Sequence, residues 1–375
     1  MPQKSKPSEM PKAADLLAWY DAHRRDLPWR KDRDPYHVWL SEIMLQQTRA
    51  VAVIPYYNRF LAALPTISAL AQAPEDQYLK LWEGLGYYSR VRNLQKAAQV
   101  MMEQQGGQMP QTSAELEKLP GIGPYTAAAI ASIAFDQPVA AVDGNLLRLY
   151  ARMTADPADV MLPETRRKAK AWLESWIDPK RPGDWNQAMM DLGAGICSPN
   201  GTPDCDACPL RAACQAHQER AELSYPVRAA KKPRQIVAMT AFVIHHSGEI
   251  LLRKRPAKGL LAGLYEFPWA EGHLAPKEAI QAAEALGVQV LRIQKRPPAV
   301  HIFTHKEWHL WVYEIRADEF RPFRQEEGEG CFRVSTTDLR NRIPIPSAFA
   351  GCLRWVPDEK PEGDSSEENQ TRLAD

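Results

Sequence analysis

Two carboxylates and a knot of cysteines carry most of the chemistry available to this 375-residue chain. Glu42 lies inside WLSEIML, with apolar neighbours on both sides. Burial there raises a carboxyl pKa and favours the acid form. Asp143 lies in AVDGNLLRLY, at the mouth of a helix. The helix dipole and the free N–H groups of the first turn are expected to keep it ionised. Pushing two carboxyl groups apart is how acid and anion duties are divided between them. Cleavage of a glycosidic bond uses such a pair, an acid for the leaving group and an anion beside the sugar cation. Taken singly, each residue is ordinary: a helix glutamate is usually solvated, and an aspartate before a helix is usually its N-cap.

Cys197, Cys205, Cys208 and Cys214 crowd into eighteen residues as C-x7-C-x2-C-x5-C. Four thiolates at that density suit one metal centre, either an iron–sulfur cluster or a four-cysteine zinc site, and spacing alone does not separate them. Cys331 and Cys352 are isolated. With no signal-peptide core at the N-terminus, clustered cysteines point to a reducing compartment and to metal rather than disulfides. With no organelle address in the short N-terminal stretch, the expected location is a bacterial cytoplasm.

The third element is a turn. Leu119–Thr126 reads LPGIGPYT between two helical stretches. Gly121 and Gly123, either side of one apolar residue, allow a tight hairpin whose backbone can approach a ligand. The amides at the start of the next helix then form a natural phosphate site.

These residues need a scaffold. From Ala13 to Arg220 the texture is helical: WLSEIMLQQT, ELEKL, YTAAAIASIAF and NLLRLYARM have apolar residues at helix spacing, broken by Pro and Gly. Thr112 and Glu115 form a capping-box pattern. After Ile236 the pattern turns to strands in IVAMTAFVIH, EILLRKRP, HLWVYEI and GCFRVS, with one helix at PKEAIQAAEAL. The expected division is a flexible N-terminus over 1–12, an all-α domain over 13–220 with the cysteine loop at 197–214, a basic linker over 221–235, an α+β domain over 236–356, and a disordered acidic tail over 357–375. The overall charge is only +1, but the tail from Pro357 holds seven acids against two bases, so the remainder stands at +6. That is a modest lean toward a polyanion. No apolar run is long enough to span a membrane.

The hairpin with Asp143 twenty residues beyond Gly123 resembles the helix-hairpin-helix family of DNA glycosylases. The stretches LPWR, PYHVWLSEIMLQQT, GLGYYSRVRNL, VDGNLLRLYAR, NQAMMDLGAGIC and CDACPL are similar to its adenine-specific MutY branch. The resemblance runs into the second half and covers about nine-tenths of the chain. It implies an all-α helix-hairpin-helix glycosylase domain with an iron–sulfur loop, followed by a Nudix-like α+β domain. It also implies an enzyme that removes adenine from duplex DNA opposite 8-oxoguanine or guanine, acting as a monomer. Glu42 would protonate adenine and then help activate water, Asp143 would stabilise the sugar cation, and Tyr125 and Asn145 would lie beside them. Arg30 would contact the base. Gln47 and Tyr87 would enter the stack beside the orphaned guanine. The four cysteines would hold a [4Fe-4S] cluster, although the family's first gap is six residues and here SPNGTPD makes seven.

Tyr125 bears on the reaction type. Relatives resembling endonuclease III carry a lysine there, whose amine attacks the sugar. A tyrosine forms no Schiff base, so base removal without strand cleavage is implied. In the second domain, an active Nudix helix would end in a Glu-Glu pair, where this chain has Ala285–Leu286. Nucleotide hydrolysis is therefore not expected. HIFTH instead matches the family loop that contacts 8-oxoguanine, through Phe303, Thr304 and His305, with Thr304 in place of the usual serine. The linker's Arg228, Lys231, Lys232 and Arg234 are placed to meet phosphates. Two alternatives remain at this stage: a lyase acting on oxidised pyrimidines, and a non-catalytic iron–sulfur DNA-binding or redox-sensing protein.

Overall fold

The structure is a computed structural model that describes residues 10–229, 233–320 and 330–357. Most of the N-terminal arm, Lys231 and Lys232 of the linker, and nearly all of the acidic tail lie outside the described residues. By contact the chain forms two compact units. One comprises the residues up to Pro74 together with those from Tyr88 to the linker; the other takes Glu75–Tyr87 and the chain beyond the linker.

The first half of the chain is helical: α1 (Ala13–His23), α2 (Pro35–Leu45), α3 (Ala50–Ala63), α4 (Ile67–Gln72), α5 (Glu75–Leu81), α6 (Ser89–Gln105), α7 (Ser113–Leu116), α8 (Pro124–Phe135), α9 (Gly144–Thr154), α10 (Pro163–Glu174), α11 (Pro182–Gly195) and α12 (Gln215–Gln218). Of these, α5 falls in the second unit. Asp34 starts α2 by accepting the Tyr36 N–H at 2.8 Å, with Pro35 at the first helical position. The helix buries Tyr36 and every residue from Val38 to Met44, so it has no solvent face. It packs against α8, which buries Thr126–Ile133. The capping pattern before α7 forms, with the Thr112 hydroxyl accepting from the Glu115 N–H at 3.3 Å and donating to its carboxylate at 2.7 Å. On the other side of α8, α11 packs against α1, α8 and α9. There Trp172, Trp176 and Trp185 meet edge to face. No helix among the described residues is long and apolar enough to cross a membrane.

The second unit is built on a sheet of β1 (Gln235–His246), β2 (Glu249–Lys254), β3 (Tyr265–Glu266), β4 (Trp269–Glu271), β5 (Val288–Ile302), β6 (Lys306–Phe320) and β7 (Cys331–Ser335). Its main order is β3-β2-β1-β6-β5, with β4 on β1 and β7 on β2. β1 and β6 run parallel from Gln235–Lys306 to His245–Arg316, and the other pairs are antiparallel. The period-two pattern of β1 sends Met239, Ala241 and Val243 to one apolar cluster and Phe242 and Ile244 to another. The second cluster is covered by α13 (Pro276–Glu284), through Ala279 and Ala283. The first gathers Phe267, Trp308 and Phe349.

One long element departs from the expectation. The sequence predicts no strand over Val288–Ile302, yet this is a 15-residue edge strand. Its two prolines and many basic residues suit an edge. Three register shifts break the two-residue alternation by which a strand is recognised.

Candidate active site

The hairpin between α7 and α8 tucks Leu119 and Ile122 into the core. Gly121 sits at φ +75°, and a Cβ there would stand 2.5 Å from the Asn93 Cβ, so both backbone and space demand glycine. Gly123 is the N-cap of α8. The second residue of that helix is Tyr125, whose hydroxyl donates to Glu42 Oε2 at 2.6 Å. Glu42, on α2, is only 5% exposed. Burial is the main force raising its pKa to about 7; the Tyr125 hydrogen bond and Arg30 oppose this, while the negative charge of Asp143 adds to it. The Tyr125 phenol is itself held well above its ordinary value by burial and by the two carboxylates.

Asp143 is the N-cap of α9. One oxygen accepts the Asn145 and Leu146 N–H groups at 2.8 Å each, and the other accepts the Asn145 side-chain amide at 2.8 Å. The sequence leads to the expectation that this setting keeps the carboxyl ionised, and its pKa nonetheless moves upward. Burial raises it, with the three N–H donors and Arg148 pulling back. A cap carboxyl turned away from solvent gains the dipole but loses water. Both carboxyl groups are therefore shifted upward, and what differs is their partners: one hydroxyl for Glu42, three N–H donors for Asp143.

Glu42 and Tyr125 line a small cavity with Arg25, Trp29, Arg30 and Gln187. Arg30 does not point a free fork into it. Its two terminal nitrogens bind Asp191 at 2.6 and 3.0 Å, and Arg25 Nε adds a third contact at 2.7 Å. Asp191, Arg25 and Gln187 were not singled out from the sequence. Asp191 and Gln187 lie in NQAMMDLGA on α11, one helical turn apart, and a lone Asp in an apolar helix is the signal that a buried cation needs it.

Gln47 follows α2 with φ +59°, an unusual backbone for a residue with a side chain. Arg90 braces that corner, donating to the carbonyls of Ile43, Met44 and Gln46 at 2.7–3.1 Å. Arg90 was also missed, because a cation capping a helix end reads as a surface charge. In the second unit, Tyr87 (φ +47°) bonds through its hydroxyl to Thr304 Oγ1 at 2.8 Å. Thr304 and His305 are exposed at the β5–β6 turn, while Phe303 is wedged edge-on between His301 and Trp308.

The four clustered cysteines line one small enclosed space together with Arg152, His217 and Glu222. Cys205, Cys208 and Cys214 have raised pKa values, chiefly from burial, with mutual repulsion adding to it. Such thiols become thiolates most readily around a cationic centre. Arg152 Nη1 lies 3.1 Å from Cys197 Sγ. Arg148 spans from this loop to the carboxylate pocket, donating to the Cys197 carbonyl at 2.9 Å and to Asn145 Oδ1 at 3.1 Å. Cys331 and Cys352 belong to the second unit.

Comparison with known proteins gives the chain its family. Residues 40–179 match the HhH-GPD superfamily of base excision DNA repair proteins, and residues 239–355 match the NUDIX domain. The mouse adenine DNA glycosylase is 37% identical over 366 residues, covering 82% of this chain and 70% of that protein. The human adenine DNA glycosylase is 38% identical over 370 residues, covering 82% and 67%. The chain belongs to the adenine DNA glycosylase family. A solved thermostable thymine-DNA glycosylase matches 55% of this chain and 95% of its own length, at 28% identity and a TM-score of 0.51. The helical scaffold is thus similar to that of an enzyme named for a different base.

Proposed function

We infer that this chain is a monofunctional glycosylase that acts as a monomer on duplex DNA, extrudes adenine paired with 8-oxoguanine or guanine, and hydrolyses its bond to deoxyribose. The observation that carries this reading is Glu42: a carboxyl with a pKa of about 7, bonded to Tyr125, on the wall of a cavity and within electrostatic reach of Asp143. Such a group holds a proton near neutral pH and can give it up.

Glu42 protonates N7 of the extruded base. The bond between N9 and C1′ then breaks, and its electron pair leaves with the adenine. The cation left on the sugar is stabilised by the Asp143 carboxylate, which Asn145 holds in place. Water adds to C1′, and the Glu42 carboxylate takes its proton, restoring the acid. Tyr125 orients Glu42. No lysine lines the cavity among the described residues, which supports hydrolysis without a Schiff-base step. Gly121 and Gly123 let the hairpin meet backbone phosphate. Gln47 and Tyr87 offset the roughly few kcal/mol lost in unstacking. Phe303, Thr304 and His305 read the opposite base, with the Thr304 hydroxyl as the polar contact.

Cys197, Cys205, Cys208 and Cys214 hold a [4Fe-4S] cluster. The donor set fits: four sulfurs around one cavity, with Arg152 against one of them. Cys197, Cys205, Cys208 and Cys214 would then join the end of α11 to the loop before α12 through the bound group. Iron and sulfide near four of each per chain are expected on analysis, and zinc in their place would refute the assignment.

A single-turnover assay on duplexes with A opposite 8-oxoguanine, G or C, each with and without alkali, tests the whole reading. Adenine release with strand breaks only after alkali is expected. Breaks without alkali, or equal rates on all three duplexes, would refute the mode or the specificity.

A further inference from the structure

The chamber that holds Glu42 has a neighbour on the side of Arg25, Arg30 and Gln187. A cavity of about 560 Å³ opens there between α1, the Asp26–Arg33 segment and α11. The two spaces share six walls: Arg25, Leu27, Trp29, Arg30, Ile133 and Gln187. The inner chamber is much smaller, about 60 Å³, room for no more than a few water molecules. A purine that enters it must move side chains, and two of the shared walls, Gln187 and Arg25, are loosely held. Gln187 is held by one long hydrogen bond, from the Tyr20 hydroxyl at 3.3 Å. Arg25 reaches Asp191 while its side chain remains 42% exposed. If Arg25 swings away, Asp191 keeps its two-pronged pair with Arg30, so no buried carboxylate is stranded. Opening is therefore cheap at Arg25 and expensive at Arg30.

We propose that this cavity is a rear exit, through which the freed purine base leaves past Arg25 and Gln187 while the abasic DNA is still bound. The proposal rests on base removal as inferred above. Hydrolysis leaves two products of unequal size: a polyanion that occupies the entry side, and a small neutral base behind it. Were there a single opening, the base would wait for the DNA. The outer cavity suits such a passenger. Adenine presents ring-nitrogen acceptors, and Arg24 and Lys31, which make no ion pair among the described residues, supply donors on the outer wall. The exposed Arg25 guanidinium offers a flat cationic surface on which a purine can stack.

The test uses the full-length enzyme in excess over a duplex carrying radiolabelled adenine opposite 8-oxoguanine. Bond cleavage is followed by quench, and adenine and abasic DNA still bound are followed separately by rapid filtration. We expect labelled adenine to leave at least several-fold faster than the abasic strand. Arg24→Trp and Lys31→Trp, which narrow the outer cavity without touching the inner one, should each slow adenine loss several-fold and leave single-turnover cleavage unchanged. Adenine and abasic DNA departing at one common rate in the wild type would overturn the exit. So would unaltered adenine loss in both variants. Absence of cleavage on any duplex would instead refute the glycosylase activity itself.

Discussion

The pocket around Glu42 and the turn at Phe303–His305 solve opposite problems. In and around the pocket, the charged groups central to the chemistry are already partnered: Glu42 by Tyr125, Asp143 by three N–H donors, Arg30 by Asp191. At the turn, Thr304 and His305 are exposed, Phe303 is packed against Trp308, and the Thr304 hydroxyl meets that of Tyr87. Chemistry on a bond needs groups whose protonation and position are set before the substrate arrives. Reading a base needs groups that can still make hydrogen bonds. The pocket should therefore fail sharply under small changes, and the turn should fail gradually.

The sharpest way to break this contrast is Glu42→Gln. Loss of the proton donor should lower single-turnover base release by ~10²–10⁴-fold while DNA binding persists. A rate near wild type would remove Glu42 from the mechanism. Next is Asp143→Asn. Asparagine caps helices about as well as aspartate, so the thermal midpoint should barely move, while base release falls by ~10²–10³-fold with the loss of the anion. A large drop in melting temperature with near-normal turnover would make the residue structural only.

Burial of Glu42 also links stability to pH. Its pKa rises from 4.5 when unfolded to about 7 when folded, so the folded protein retains a proton across that window. The stabilisation is complete below 4.5 and is lost as pH rises through 7, by about 3 kcal/mol if the whole shift is realised. Glu42→Gln lacks this loss and should melt above wild type at alkaline pH, with the gap closing in acid. Parallel melting curves for the two proteins across that range would contradict the burial argument. Base release should fall through the same pH because the acid form is consumed. The smallest effect belongs to the turn. Thr304→Ala should weaken discrimination between 8-oxoguanine and guanine by about fivefold, near 1 kcal/mol for one hydrogen bond, without altering release once the base is engaged. Equal discrimination before and after would discard that contact.

The helical scaffold was legible because its helices are bounded by local signals: Asp34 before Pro35, Thr112 with Glu115, Gly123 before Pro124. The candidate acid was legible because the five apolar residues of WLSEIML announce burial of Glu42. What stayed hidden depends on partners distant in sequence. Asp191 matters only because Arg25 and Arg30, 166 and 161 residues away, converge on it. Arg90 acts on carbonyls 44 to 47 positions earlier. The upward shift of Asp143 depends on how deep the start of α9 lies, which no cap signal encodes. β5 was invisible because its bulges erase the periodicity that marks a strand.

The left-handed backbone at Gln47 carries a consequence for anyone altering this protein. A side chain in that conformation costs roughly 1–2 kcal/mol that glycine would not. Glycine at this corner should therefore yield a hardier fold, and selection for heat tolerance alone would drift toward it. It would also delete the group proposed to fill the gap left by the extruded base. Ruggedness and repair thus pull this one position in opposite directions, and screens for either property should be scored on both.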